Sequence, residues 1–291
     1  MFLRFMKGIY TMQLTDKRII TEILTKNGFS FKKSLGQNFL INPTVCPRMA
    51  ESAVALNEDG VLEIGPGIGV LTAELAKNAK RVVCIEIDER LRPVLNETLS
   101  ECSNTEIIFG DCMKLDLKNI IKEKFGESKV SVCANLPYYI TSPIIMNLLE
   151  SRLPITSITV MVQKEAAERI CAKVGTREAG AVTVAVNYYS EPEILFNVSR
   201  GSFLPAPNVD STVIRLNVRE NPPISVSDEK EFFRFVRASF GQRRKTLVNA
   251  LSVMYNKDKI KSAVVLAGFD ENIRAEKLDM DGFSKVFSNL H

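Results

Sequence analysis

Glu63-Ile64-Gly65-Pro66-Gly67-Ile68-Gly69 is the stretch that decides the fold. A short β-rich run, residues 61–64, feeds into it, and a segment with helical periodicity, residues 70–77, leaves it. Strand, glycine turn and helix in that order open a doubly wound sheet, whose ligand sits where the turn meets the helix. Further β-rich runs follow at 81–87, 106–109, 130–134 and 155–162, with helical segments such as 89–100 between them. This alternation predicts right-handed βαβ units and a parallel sheet covered on both faces. The expected class is α/β, a doubly wound, Rossmann-like sheet.

After Gly180 the rhythm changes. Two β-like runs, 181–189 and 209–218, flank a proline-bearing loop at 203–207, and an antiparallel closing pair is the simplest reading. Beyond Asn221-Pro222-Pro223 the β pattern stops, and helical segments are expected at 229–240, 243–254, 258–267 and 275–290. The chain therefore divides into an N-terminal extension (1–12), a sheet domain (13–220) and a small C-terminal helical domain (221–291). The extension mixes apolar residues with Arg4 and Lys7 but has no sustained apolar core or small-residue cleavage site, so no signal peptide is expected.

Composition narrows the chemistry. Hydrophobic residues at 45% and charged residues at 25% are those of an ordinary globular protein. No apolar stretch approaches the ~20 residues that span a bilayer, so no membrane segment is expected. The six cysteines form no C-x-x-C pair, and Cys84 and Cys133 sit inside strand-like runs. They read as small core residues in a reducing compartment, which points to the cytoplasm. The single histidine, His291, is the last residue, which argues against a histidine metal site or a Ser-His-Asp triad, and no metal is expected. A net charge of +4 is modest, but residues 234–261 carry eight Lys or Arg against one acid, Asp258. Arg243, Arg244 and Lys245 are consecutive there. On charge alone they read as a solvated helix face.

Three strand ends carry candidate ligand groups. In the glycine loop, Val70 stands where a dinucleotide fingerprint requires its third glycine. Glu86, twenty-one residues after Gly65, ends the second strand. A carboxylate there accepts ribose hydroxyls, which serves NAD as well as S-adenosylmethionine. Asp111, after Gly110 and the third strand, can accept from an adenine amino group.

Asn135-Leu136-Pro137-Tyr138, after the fourth strand, carries the most specific chemistry. The amino nitrogen of adenine is a poor nucleophile because its lone pair is delocalised into the ring. Hydrogen bonds from that amine to the Asn135 side-chain oxygen and a proline-restrained carbonyl favour a pyramidal nitrogen whose lone pair can attack a sulfonium methyl. Tyr138 can stack on a base drawn out of its helix or loop. Out of context the same four residues describe a strand terminus with a proline turn and a buried tyrosine.

The chain resembles the ribosomal RNA adenine dimethyltransferase family, and within it the small-subunit branch associated with kasugamycin sensitivity. The resemblance rests on Ser34-Leu35-Gly36-Gln37-Asn38-Phe39-Leu40, the glycine loop, Asn135-Leu136-Pro137-Tyr138, Phe203-Leu204-Pro205-Ala206-Pro207-Asn208-Val209-Asp210-Ser211 and Phe240-Gly241-Gln242-Arg243-Arg244-Lys245-Thr246-Leu247. It implies S-adenosylmethionine as cofactor, held by Asn38, Leu40, Gly65, Gly67, Glu86, Asp111 and Asn135. It implies Asn135, Tyr138 and Phe203 as catalytic residues, with Phe203 the second stacking aromatic, and the small ribosomal subunit and its RNA as partner. Arg243, Arg244 and Lys245 are then phosphate contacts, and the protein is expected to be monomeric. Two positions depart from the pattern: Asn208 stands where many relatives carry Lys, and Tyr139 where some carry Asn. The competing readings are a large-subunit adenine methyltransferase, a non-enzymatic RNA-binding assembly factor and an NAD-dependent dehydrogenase.

Overall fold

The computed structural model describes residues 14–29, 38–54 and 60–291. The extension at 1–12 and Ser34 to Gln37 lie outside the described residues. The strands are β1 (Phe39–Leu40), β2 (Gly60–Ile64), β3 (Arg81–Glu86), β4 (Thr105–Phe109), β5 (Val130–Asn135), β6 (Ser157–Gln163), β7 (Ser190–Val198), β8 (Phe203–Leu204) and β9 (Ser211–Val218). Helices α1 (Lys17–Lys26) and α2 (Val45–Ala53) precede the sheet. Between strands lie α3 (Val70–Asn78), α4 (Arg92–Thr98), α5 (Leu117–Phe125), α6 (Thr141–Glu150), α7 (Lys164–Ile170) and α8 (Ala181–Tyr189). The chain closes with α9 (Glu229–Phe240), α10 (Leu247–Leu251), α11 (Lys257–Leu266) and α12 (Met280–Leu290).

Seven strands form one sheet in the order β4-β3-β2-β5-β6-β9-β7. Strands β2 to β6 run parallel, and β9 pairs antiparallel with both β6 and β7. The chain winds outward from β2 to β4, then returns to place β5 on the other side of β2. The crevice at the carboxyl ends of β2 and β5 is therefore the topological switch point. Both faces of β2 are covered: Leu62 and Ile64 belong to one apolar cluster and Val61 to another. That double burial explains why these strands are continuous apolar runs.

The closing pair differs from the sequence expectation. Residues 181–189 were expected as a strand, but they form helix α8. Its apolar residues are buried on most sides, and Thr183 fixes its start by accepting the Gly180 N–H at 2.9 Å and donating to the Arg169 carbonyl at 2.6 Å. Tertiary burial here outweighs the strand preference of the valines. The partner of β9 is instead β7, an edge strand with Pro192 in it and a register shift between Ile194 and Phe196.

The proposed division near residue 220 falls between the end of β9 and the start of α9, yet side-chain packing crosses it. Phe233 on α9 meets Tyr188 and Tyr189 on α8 with ring centroids 5.1 and 5.2 Å apart. Glu229 pairs with Arg152 at 2.5 Å and accepts from the Tyr188 and Tyr189 hydroxyls at 3.1 and 3.2 Å.

Candidate active site

A cavity of about 170 Å³ opens at the switch point. Its wall includes Asn38, Leu40, Gly65, Gly67, Glu86, Asp111, Asn135, Tyr138 and Phe203, so the residues expected to hold cofactor and base converge on one place.

The glycine loop is built by backbone conformation. Gly65, Gly67 and Gly69 have φ of 72°, 59° and 88°, in the left-handed region that favours glycine. Among the described residues a Cβ at Gly65 would meet nothing within 4 Å, so they leave space at this turn for a ligand. Gly69 starts α3, and a Cβ there would lie 2.9 Å from Leu99, so glycine also permits close packing. The Gly65 N–H donates to the Ile85 carbonyl at 2.9 Å, tying the loop to β3.

Glu86 ends β3 and is 4% exposed. Its carboxylate accepts from the Asp88 N–H at 2.8 Å and the Gly67 N–H at 3.2 Å. Burial pushes its pKa above the ordinary carboxylate value, opposed by those backbone donors. Asp111 follows β4, accepts from the Met113 N–H at 3.0 Å and lies 3.7 Å from the Lys114 ammonium.

Asn135 is the last residue of β5 and is half-buried. Among the described residues its side-chain amide makes no hydrogen bond, so the chain presents a free donor and acceptor at the cavity wall. Tyr138 is also half-buried, and its hydroxyl lies 2.7 Å from the Ser211 hydroxyl at the start of β9. Burial raises the pKa of that phenol, with the Ser211 contact opposing it.

Two segments distant in sequence meet over the cavity. Strands β1 and β8 pair antiparallel with Leu40 opposite Phe203. The Ile41 N–H extends the pairing to the Ser202 carbonyl at 2.8 Å, and the Asn42 amide reaches the Ser202 hydroxyl at 3.1 Å. Phe203 is only 4% exposed and packs in the cluster of Leu40, Met161 and Val213 while lining the cavity. It is thus both a core residue and a wall.

Sequence reasoning assigned no role to Glu63, which the structure places in the same wall. It is 1% exposed, and the Cys84 thiol donates to it at 3.3 Å. Burial pushes its carboxyl up to about 7, opposed by that thiol and by the nearby Thr72 hydroxyl, which lies outside hydrogen-bonding geometry. A lone acid inside an otherwise apolar strand was the available signal.

The basic triplet is elsewhere. The expected helix at 243–254 begins only at Leu247, so Arg243, Arg244 and Lys245 lie in the preceding turn and are exposed. Thr246 caps α10 by accepting the Asn249 N–H at 3.4 Å, which ends the turn. Arg243 donates to the Arg177 carbonyl, fastening this turn to the loop between α7 and α8.

Comparison with known proteins agrees with this geometry. The chain is 50% identical over 275 residues to Ribosomal RNA small subunit methyltransferase A of Geobacillus thermodenitrificans, covering 92% of this chain and 94% of that one. Its fold resembles a dimethyladenosine transferase from Plasmodium falciparum, with a TM-score of 0.71 and 28% identity over 85% of this chain and 95% of that one. The 23S rRNA methyltransferase ErmE is similar with a TM-score of 0.66 and 28% identity over 87% of this chain and 99% of that one. Residues 28–291 match the profile of ribosomal RNA adenine dimethylases, and the chain belongs to that family.

Proposed function

We propose that the protein transfers methyl groups from S-adenosylmethionine to the exocyclic amino groups of two adjacent adenosines near the 3′ end of small-subunit ribosomal RNA. The observation that carries this reading is the unengaged Asn135 amide, in one cavity with Tyr138 and the carboxylate of Glu86. The open space at Gly65 and the buried acid at the end of β3 fit a nucleoside bearing an amino-acid tail.

When bound, S-adenosylmethionine supplies a methyl group on a sulfonium. The residues of the chain do the positioning. Glu86 holds the ribose, Gly65 and Gly67 admit the amino-acid part, and Asp111 receives the adenine amine. Asn38 and Leu40 cover the cofactor, and the β1 pairing ties that cover to Phe203. Asn135 accepts from the target amine and is worth most when that nitrogen turns pyramidal. Tyr138 and Phe203 hold the extruded base, which pays its unstacking cost in part. The rate then comes from orientation and preorganised hydrogen bonds.

Arg243, Arg244 and Lys245 are proposed phosphate contacts that place the subunit without reading bases. The small-subunit reading is favoured over the large-subunit one by similarity: 50% identity to a small-subunit enzyme against 28% to ErmE. The proposal includes a monomer acting in the cytoplasm on assembling subunits.

Labelled cofactor incubated with undermethylated small subunits, and separately with large-subunit RNA, tests the reading when modified adenines are mapped. Two neighbouring dimethyladenosines in the small-subunit RNA are expected. Methylation of large-subunit RNA alone would overturn it.

A further inference from the structure

The turn that carries Asn135 and Tyr138 also presents an aromatic ring that the scheme above leaves unused. Tyr139 is 64% exposed and lines the same cavity. Among the described residues its hydroxyl makes no hydrogen bond and its ring no aromatic or cationic contact. A single exposed aromatic needs no explanation by itself. What sets Tyr139 apart is its mount. The Pro137 carbonyl accepts from the Ile140 N–H at 3.1 Å and from the Thr141 hydroxyl at 3.2 Å, while Tyr138 is tied to Ser211 at 2.7 Å. The backbone on both sides of residue 139 is fixed, and the ring it carries is free.

Extruding one base from a strand leaves its neighbour with an uncovered face, which is part of the cost of extrusion. An aromatic ring at the lip of the cavity can cover that face whatever the base, since every base offers a π surface. We propose that Tyr139 is a substrate-binding residue that stacks on the nucleobase adjacent to the adenosine held in the cavity, replacing the stack lost on extrusion. The proposal rests on the reading of the cavity as an adenosine methylation site. With two adjacent adenosines as targets, the other adenosine is the 3′ neighbour of one and the 5′ neighbour of the other, so a ring that covers one side meets it at one of the two positions.

The test uses small subunits reconstituted with RNA in which one of the two adenosines is abasic, with methyl transfer to the other measured at saturating S-adenosylmethionine and subsaturating subunits. For the parent protein, removing the neighbouring base at one of the two positions should slow transfer by roughly 5- to 100-fold. Tyr139→Ala should show a loss of that size on intact RNA and no further loss on the abasic RNA. Tyr139→Phe and Tyr139→Trp should restore transfer, and calorimetry should find S-adenosylmethionine affinity unchanged in all three variants. Parental transfer by Tyr139→Ala would overturn the proposal, as would additive losses from the variant and the abasic site. A parent protein that methylates intact subunits but is indifferent to both abasic positions would overturn the stacking role alone. A parent that methylates neither adenosine of intact subunits would overturn the reading of the site, and the stacking role with it.

Discussion

The cavity at the carboxyl edge of the sheet and the basic turn at 241–246 are built by opposite means. In the cavity, Glu86 is buried and held by two backbone donors, and Tyr138 is anchored through Ser211. In the turn, Arg243, Arg244 and Lys245 are exposed, and among the described residues Arg243 is the one of the three whose side chain is braced, by the Arg177 carbonyl. Groups that act on bonds must be preorganised, because reorganisation at the moment of reaction would cost rate. Groups that neutralise phosphates work in water and owe their effect to released counterions, so they need little fixed geometry. The two regions should therefore fail in different measurable quantities when altered.

The largest effect is expected at Asn135. Asn135→Ala removes the proposed acceptor of the target amine, which matters most as that amine pyramidalises, so single-turnover transfer should fall by roughly 10²- to 10³-fold. Unchanged circular dichroism, with transfer measured at saturating cofactor, would show that the loss is chemical.

Next is Glu86. Its replacement by Ala removes the carboxylate at the end of β3 and should weaken S-adenosylmethionine binding by about 1.5 to 3 kcal/mol, measured by calorimetry. Equal affinity in a folded variant would remove Glu86 from the cofactor site.

Glu63 makes a comparable prediction about stability. Its folded pKa is raised to about 7, above the ordinary carboxylate value of 4.5. A raised acid keeps its proton longer in the folded state than in the unfolded one, so stability is fully present below about 4.5 and is lost as pH rises towards about 7. Glu63→Gln should remove that dependence and stabilise the protein by on the order of 1 to 3 kcal/mol at pH 8, with little gain at pH 4.5. Parallel melting curves for variant and parent across that range would contradict the assignment.

The smallest effect on chemistry is expected at the basic turn. Neutralising Arg243, Arg244 and Lys245 together should weaken subunit binding and flatten its logarithmic salt dependence by up to about 3, while cofactor affinity stays put. An unchanged slope would make the turn a solvated surface and nothing more.

How far the sequence disclosed these regions follows from where each signal is local. Strands β2, β3, β5 and β6 were legible because burial on both faces makes nearly continuous apolar runs bounded by turns, while β4, partly buried at the sheet edge, was legible from its short β-rich run. Glu86, Asp111 and Asn135 were legible because each lies at or just after a strand end, which a doubly wound sheet places together, whereas Asn38, Leu40 and Phe203 were reached through the family resemblance. The helix at Ala181–Tyr189 was misread because valines in a helix buried on most sides give no period that separates them from a strand. Strand β7 was missed because Glu191, Pro192 and Glu193 interrupt it, which only an edge strand tolerates. The β1 and β8 pairing could not be foreseen from two-residue strands so far apart in the chain. The turn at Arg243 to Lys245 was read as helix because Arg and Lys are good helix formers, whereas Thr246 supplies the cap that starts α10 later.

The central claim is that the chemical step and the holding of RNA phosphates reside in separate parts of the chain. Its most direct test measures two quantities on the same preparations of undermethylated small subunits: the single-turnover rate at saturation and the apparent Kd for the subunit. Asn135→Ala should lose the rate and keep the Kd, while the neutralised turn should lose the Kd and recover the parental rate once subunits saturate. If both variants move the same quantity, the division of labour described here is wrong.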